Sequence, residues 1–364
     1  MREAAGRRAA RFGRAVIAKS VPPTPPGAGL GWSNRPTTSE WRPPMPWFDL
    51  PEAELAQYRT PTQEPTGLDA WWAERLADAR ALAKPVTTTP HEESAYGPLS
   101  VLDVEFSGAL GDRVRAWHLR PASDGPLPTA VVFIGYGGGR GTPTEHAWLA
   151  AAGYGVLVVD TRGQGGRWTT GATPDSAPSG PSHPGFMTRG IDSPEGYYYT
   201  RLMTDAALAV DVAAGLDGVD PERIAVLGAS QGGGLALAAA ALNPTKVKVC
   251  HADVPFLCDF QRAITLTGAD PYAEIANFLS HNVALVDQAR DTLRYVDAAL
   301  LARRITATSL LSAGLMDEVC PPSTVFAAYN EITAPKRIEV FPFSGHAVPR
   351  THDEVKLKHL REHL

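Results

Sequence analysis

Cysteine is scarce, with three residues, Cys250, Cys258 and Cys320, in a chain of 364. They cannot all pair with one another, and none stands in a C-x-x-C spacing, so neither a disulfide scaffold nor a cysteine-based zinc site organises this chain. Reduced thiols in a cytoplasmic protein are the simplest reading. Long apolar runs are also missing: no stretch reaches the roughly 18 residues that span a bilayer, so no membrane partner is expected. There is no internal repeat. An excess of positive charge is absent too, the net charge being -5. Residues 1–44 hold 8 Lys+Arg against 2 Asp+Glu, whereas the remainder holds 26 against 37. An acidic body argues against nucleic acid as a partner.

The basic N-terminal stretch lacks what a targeting peptide needs. Its longest apolar segment is Ala15-Val16-Ile17-Ala18, shorter than the signal-peptide minimum of about seven residues. Pro22-Pro23-Thr24-Pro25-Pro26-Gly27 cannot bury enough apolar surface to offset its ordering entropy. Residues 1–44 are therefore expected to be a disordered extension upstream of a start at Met45, with residues 45–364 forming the catalytic domain.

From Met45 the pattern becomes globular, opening with the apolar segment Met45 to Pro51. Asp69 is expected to cap a helix bearing Trp72, Leu76 and Ala79 on one face. Val101 to Phe106 and Val114 to Leu119 read as a hairpin. Short apolar runs follow at Ala130–Ile134, Gly155–Val159, Ile224–Leu227, Val247–Val249, Thr308–Leu311 and Arg337–Phe341. Helical patterns near 145–152, 195–216, 235–242, 323–332 and 353–364 separate them. This alternation predicts an α/β fold with a mostly parallel sheet and helices on both faces. Residues 255–303 hold helical patterns without a strand, and are expected to form an insertion over the catalytic face.

The chain carries one G-x-S-x-G between a strand-like run and a helix-favouring run: Gly228-Ala229-Ser230-Gln231-Gly232. In that context the serine sits on a sharp strand-to-helix corner with its hydroxyl exposed, as the nucleophile of an α/β-hydrolase does. That fold presents its acid and then its histidine after the serine. Of His251, His281, His346, His352, His359 and His363, only His346 lies in a loop after a strand and before the last helix. It is the candidate base that takes the Ser230 proton. Asp317 follows the Leu310-Leu311 strand at the carboxyl edge of the sheet and is the candidate acid. The adjacent Glu318 is its rival, and a helix N-terminal residue paired with the dipole is the structural alternative. An oxyanion hole needs the N–H after the nucleophile, that of Gln231, and a second N–H from the loop Gly135 to Gly141. A phosphate cradle is the weaker reading of those glycines, because the Walker ending is missing.

Several segments together resemble one family, the acetyl xylan esterase and cephalosporin-C deacetylase group (carbohydrate esterase family 7). They are Met45 to Pro51, Gly135-Tyr136-Gly137-Gly138, Asp160 to Gly166 with its R-G-Q-G-G, Gly185 to Gly190, Tyr197-Tyr198-Tyr199, Gly228 to Gly233, Asp253 to Leu257 and Asp317 to Thr324. The resemblance implies catalytic Ser230, Asp317 and His346, and oxyanion donors at the main-chain N–H groups of Tyr136 and Gln231. It further implies a hexamer, no metal or cofactor, and a small acetylated substrate such as a short xylo-oligosaccharide or cephalosporin C. Arg162 to Gly166 would support the site and an oligomer contact. The chain departs from the family at Ala347, where a glutamate usually follows the histidine, and has no counterpart for its first 44 residues. A peptidase or broader carboxylesterase of the same fold is the alternative activity. A binding protein that has kept the fold without activity is the alternative of another class.

Overall fold

A computed structural model describes residues 47–91, 96–177, 180 and 185–364; the expected extension at 1–44 and the Met45-Pro46 start of the apolar segment lie outside them. The strands are β1 (Thr87–Pro90), β2 (Ser100–Ser107), β3 (Arg113–Arg120), β4 (Leu127–Phe133), β5 (Gly155–Val159), β6 (Val219–Ala229), β7 (Val247–Asp253), β8 (Thr308–Gly314) and β9 (Lys336–Phe341). They pair in one sheet of order β1-β2-β3-β5-β4-β6-β7-β8-β9. From β5 across to β9 each pairing is parallel, and β3, β2 and β1 continue the sheet antiparallel.

The parallel strands are continuous apolar runs because both of their faces are covered. Val131, Phe133, Leu157 and Val226 point into one core, while Ala130, Val132, Val156 and Leu227, one residue out of step, point into the other. The helices are α1 (Glu52–Leu55), α2 (Leu68–Ala81), α3 (Ala147–Ala151), α4 (Tyr198–Gly215), α5 (Gln231–Leu242), α6 (Phe260–Leu266), α7 (Tyr272–His281), α8 (Val286–Tyr295), α9 (Ala298–Leu301), α10 (Pro322–Glu331) and α11 (His352–His363). Residues of α2, α4, α5 and α10 fill the first core, and residues of α3 and α11 contribute to the second. Among the described residues, no helix is long and apolar enough to cross a membrane.

The hairpin forms in the expected place, with Val101 opposite Leu119 and Phe106 opposite Val114. β1 has no counterpart in the sequence reading. Its Thr-Thr-Thr-Pro is exposed at every position, so no apolar alternation marks it, and its proline is tolerated at the sheet edge. The start of α2 needs a correction. The helix begins at Leu68 behind Gly67, which takes a left-handed φ of 77° and makes no side-chain cap. Asp69 lies inside the first turn, where its carboxylate pairs with Arg304.

Residues 255–303 hold α6 to α9 and no strand. Their end, α9, packs against α5 and α10 within the helical layer. The part that reaches the site cavity is the α6–α7 junction, Asp270 and Pro271, so the segment covers the site by one corner rather than along its length.

Candidate active site

β6 stops at Ala229 and α5 starts at Gln231, which leaves one residue, Ser230, to turn the chain. It does so at φ 56° and ψ -122°, a conformation that L-residues rarely adopt and that persists only when the surroundings impose it. The surroundings here are hydrogen bonds. The Ser230 N–H donates to the Asp253 carbonyl at 2.9 Å, and the Ser230 carbonyl accepts from Phe256 N–H at 2.9 Å and Gly234 N–H at 3.1 Å. Close approach explains the flanking glycines: a Cβ on Gly228 would stand 2.2 Å from the Gly232 backbone, and one on Gly232 would stand 2.2 Å from the Phe133 carbonyl.

The Ser230 hydroxyl lies 2.9 Å from His346 Nε2, and His346 Nδ1 lies 2.8 Å from Asp317 Oδ2. Asp317 is fully buried while the His346 side chain keeps 26% of its surface exposed. The other carboxylate oxygen, Oδ1, accepts from the Val319 and Cys320 N–H groups at 2.9 Å each. With the carboxylate accepting, Nδ1 carries the proton and donates, leaving Nε2 to accept from the hydroxyl. Glu318, the rival acid, is exposed. Backbone contacts between the two loops set this alignment: Leu315 N–H donates to Phe341 O at 3.1 Å and Met316 N–H to Ser344 O at 3.0 Å.

Gly135 to Gly141 crosses in front of the corner. Gln231 is fully buried, and its amide spans from the corner to the end of β4, with Nε2 donating to the Ile134 carbonyl at 3.1 Å and Oε1 accepting from Gln164 Nε2 at 2.9 Å and Tyr199 OH at 3.0 Å. Gln164 Oε1 in turn accepts from the Gly137 N–H at 2.7 Å. Two glutamines thus lock the glycine loop to the serine corner. As the first residue of α5, Gln231 also has a main-chain N–H with no carbonyl one turn back to bond. Tyr136 is anchored at both ends: its hydroxyl donates to Glu274 Oε1 at 2.6 Å, and its carbonyl accepts from Trp168 Nε1 at 2.9 Å. Burial, reinforced by Glu274, raises the phenol so that it stays a proton donor.

A cavity of about 650 Å³ opens onto Ser230 and His346, with Trp168, Asp270 and Ala347 also at its wall. Among the described residues, Asp317, Cys320 and His346 bring three metal-capable atoms within 4.8 Å of one another. All three belong to the Ser230 surroundings, where Asp317 is already engaged by His346 Nδ1 and by two backbone N–H groups. Burial, with the neighbouring Asp317 carboxylate, holds the Cys320 thiol well above its usual range.

The other candidate histidines are engaged elsewhere or exposed. His251 on β7 meets His359 on α11 at 2.9 Å, His352 pairs with Asp253 at 3.0 Å, and His281 is exposed on α7. Arg162 is fully buried and bonded within the chain to Asp205, Asp112 and Asp175, so its side chain is not offered to an oligomer contact. Glu274, Trp168 and Cys320 escaped the sequence reading. Cys320 could have been noted from its place three residues after Asp317, whereas Glu274 and Trp168 carry no local signal.

A strained serine between strand and helix, faced by a histidine and a buried aspartate at the end of a mostly parallel sheet, defines an α/β-hydrolase of the serine type. The family model described as "Acetyl xylan esterase (AXE1)" matches residues 45–364, and the chain belongs to that family. The chain is similar to the acetyl xylan esterase from Paenibacillus sp. R4, with a TM-score of 0.81 at 35% identity, covering 86% of this chain and 100% of that one. Acetyl xylan esterase 1 from Thermoanaerobacterium sp. JW/SL YS485 gives a TM-score of 0.81 at 31% identity over 86% and 99%. Among curated proteins, acetyl esterase Axe7A of Xylanibacter ruminicola is 28% identical over 292 residues, 78% of this chain. The match spans 64% of that relative's length.

Proposed function

We propose that this protein is a cofactor-free serine esterase that removes acetyl groups from small esters, with acetylated xylo-oligosaccharides and cephalosporin C as substrates. The single observation that carries the reading is the hydrogen-bonded line Ser230 Oγ, His346 Nε2, His346 Nδ1, Asp317 at 2.9 and 2.8 Å. Ser230 Oγ attacks the acetyl carbonyl carbon as its proton passes to His346 Nε2. The main-chain N–H groups of Tyr136 and Gln231 hold the oxyanion, and Asp317 stabilises the imidazolium. Collapse breaks the bond to the alkoxy group, which leaves as an alcohol with the proton from His346. Water then gives a proton to His346 and attacks the acetyl-serine; acetate departs and Ser230 regains its hydrogen.

Residues 45–364 are read as the catalytic unit and 1–44 as an extension to it. The cytoplasmic location is supported by three unpaired, buried cysteines. The homo-oligomer, a hexamer by family resemblance, is open to analytical ultracentrifugation. Ser230→Ala should lower kcat on p-nitrophenyl acetate by about 10⁶ while the melting temperature holds. Near wild-type turnover would sink the reading. A panel of acetate, butyrate and octanoate esters with an aminoacyl amide separates the deacetylase from a broad carboxylesterase or peptidase.

A further inference from the structure

Trp168 has an arrangement that packing alone does not require. It is 57% exposed, yet it is held in place. Its Nε1 donates to the Tyr136 carbonyl at 2.9 Å. A Cβ on Gly138 would come within 2.4 Å of the indole Cζ2, so the ring lies directly on the glycine backbone. A Cβ on Gly135 would stand 3.4 Å from that same Cζ2 and 4.0 Å from Ser230 Cβ. The ring therefore lies against the glycine loop that borders Ser230, and shares its cavity, while much of the side chain is left to solvent. Leaving a large aromatic surface wet forgoes its burial energy, and fixing it in place costs rotamer freedom. Both are offset when a ligand covers the ring. Arg167 and Asp270, both exposed, line the same cavity.

An aromatic platform that shares a cavity wall with a cation and a carboxylate suits a ring with one apolar C–H face and a rim of hydroxyls. The C–H face meets the negative face of the indole. The rim offers donors to Asp270 and acceptors to Arg167. We infer that Trp168, Arg167 and Asp270 form a leaving-group subsite that takes a pyranose ring beside the scissile acetyl. This rests on the esterase reading above and adds to it a choice of alcohol.

The test compares two acetate esters on the full-length protein: a mono-O-acetylated methyl xylopyranoside, whose ring keeps two free hydroxyls, and vinyl acetate, whose leaving group has no ring. The readout is the ratio of their kcat/KM values. Trp168→Ala should lower that ratio about three- to tenfold, through KM for the xyloside, and Trp168→Phe should recover most of it. Asp270→Asn should lower it independently, and its exposed position keeps the test available if the Trp168 variants fold poorly. An unchanged ratio in Trp168→Ala and Asp270→Asn, in an enzyme that hydrolyses the xyloside, overturns the subsite and leaves the esterase standing. Equal loss on both esters also overturns it, since Trp168 would then act by positioning Tyr136. A wild-type enzyme that takes vinyl acetate but refuses the xyloside overturns the subsite together with the sugar substrate.

Discussion

Arg162 and Ser230 stand in comparable settings: each follows a parallel strand, each precedes glycines, and each is bound to carboxylate chemistry. Their surroundings diverge completely. Arg162 is fully buried, with Nη2 donating to Asp205 Oδ1 at 2.8 Å, Nη1 donating to Asp112 Oδ2 at 3.0 Å, and Asp175 at 3.5 Å. Asp205 Oδ1 also accepts the Ala109 N–H at 2.8 Å, next to the hairpin turn. The Ser230 line ends differently, with His346 partly exposed to a cavity. A charge cluster whose members are satisfied by one another holds structure. A chain of proton carriers that opens at one end onto a cavity can do chemistry. Gln164 stands between the two, since it shares Arg162's segment but bonds to Gln231 beside the serine.

Substitutions should separate these roles by what they move. After Ser230→Ala, the largest expected loss is for Asp317→Asn, about 10⁴ in kcat, because the amide favours the wrong histidine tautomer. Its melting curve should change little, and comparable loss of folding would class Asp317 with Arg162. Arg162→Leu should behave in the opposite sense. Removing one partner leaves Asp205 as an uncompensated buried charge, costing about 3–5 kcal/mol of stability in denaturant unfolding. The surviving folded protein should keep most of its turnover. Gln164→Leu should fall between, lowering kcat about tenfold by freeing the glycine loop, less than the 10² to 10³ expected for losing an oxyanion donor itself. Steady-state kinetics with a denaturation curve on each variant sorts all three.

The smallest effect concerns acid. Burial lowers His118, with Arg120 adding to it, to about 4, and burial with His363 lowers His359 to about 4; burial and His359 hold His251 well below the usual histidine range. An unfolded histidine titrates near 6.5. Between about 6.5 and 4 the unfolded chain binds more protons than the folded one, so stability should fall as the pH drops through that window. Melting temperatures across it check the sign, and His359→Gln should flatten the slope. A melting temperature that rises on acidification would contradict it.

Much of the site was legible because hydrolase topology imposes an order. Ser230 could be found because a strand, a small-residue corner and a helix are consecutive, and His346 because the loop between the last strand and last helix admits one histidine among six. Asp317 followed from its place at the end of a strand. By contrast, the Asp69 cap was misjudged because the helix begins at Leu68 behind Gly67 and Arg304, 235 residues away, takes the carboxylate. β1 stayed hidden because an exposed edge strand needs no apolar pattern. Glu274 comes from a segment with no motif and reaches Tyr136 across 138 residues.

What the sequence determined by itself is whatever depends on neighbours along the chain: the strand and helix periods, the glycines that permit the corner at Ser230, and the order of serine, aspartate and histidine. Only the tertiary structure decided which carboxylate faces His346, that Arg162 braces while Gln164 bonds to Gln231, and that Trp168 lies wet in the cavity that opens onto Ser230. Those outcomes depend on burial and on distances between atoms far apart in the chain, and they arise when the sheet assembles and its loops meet at one edge.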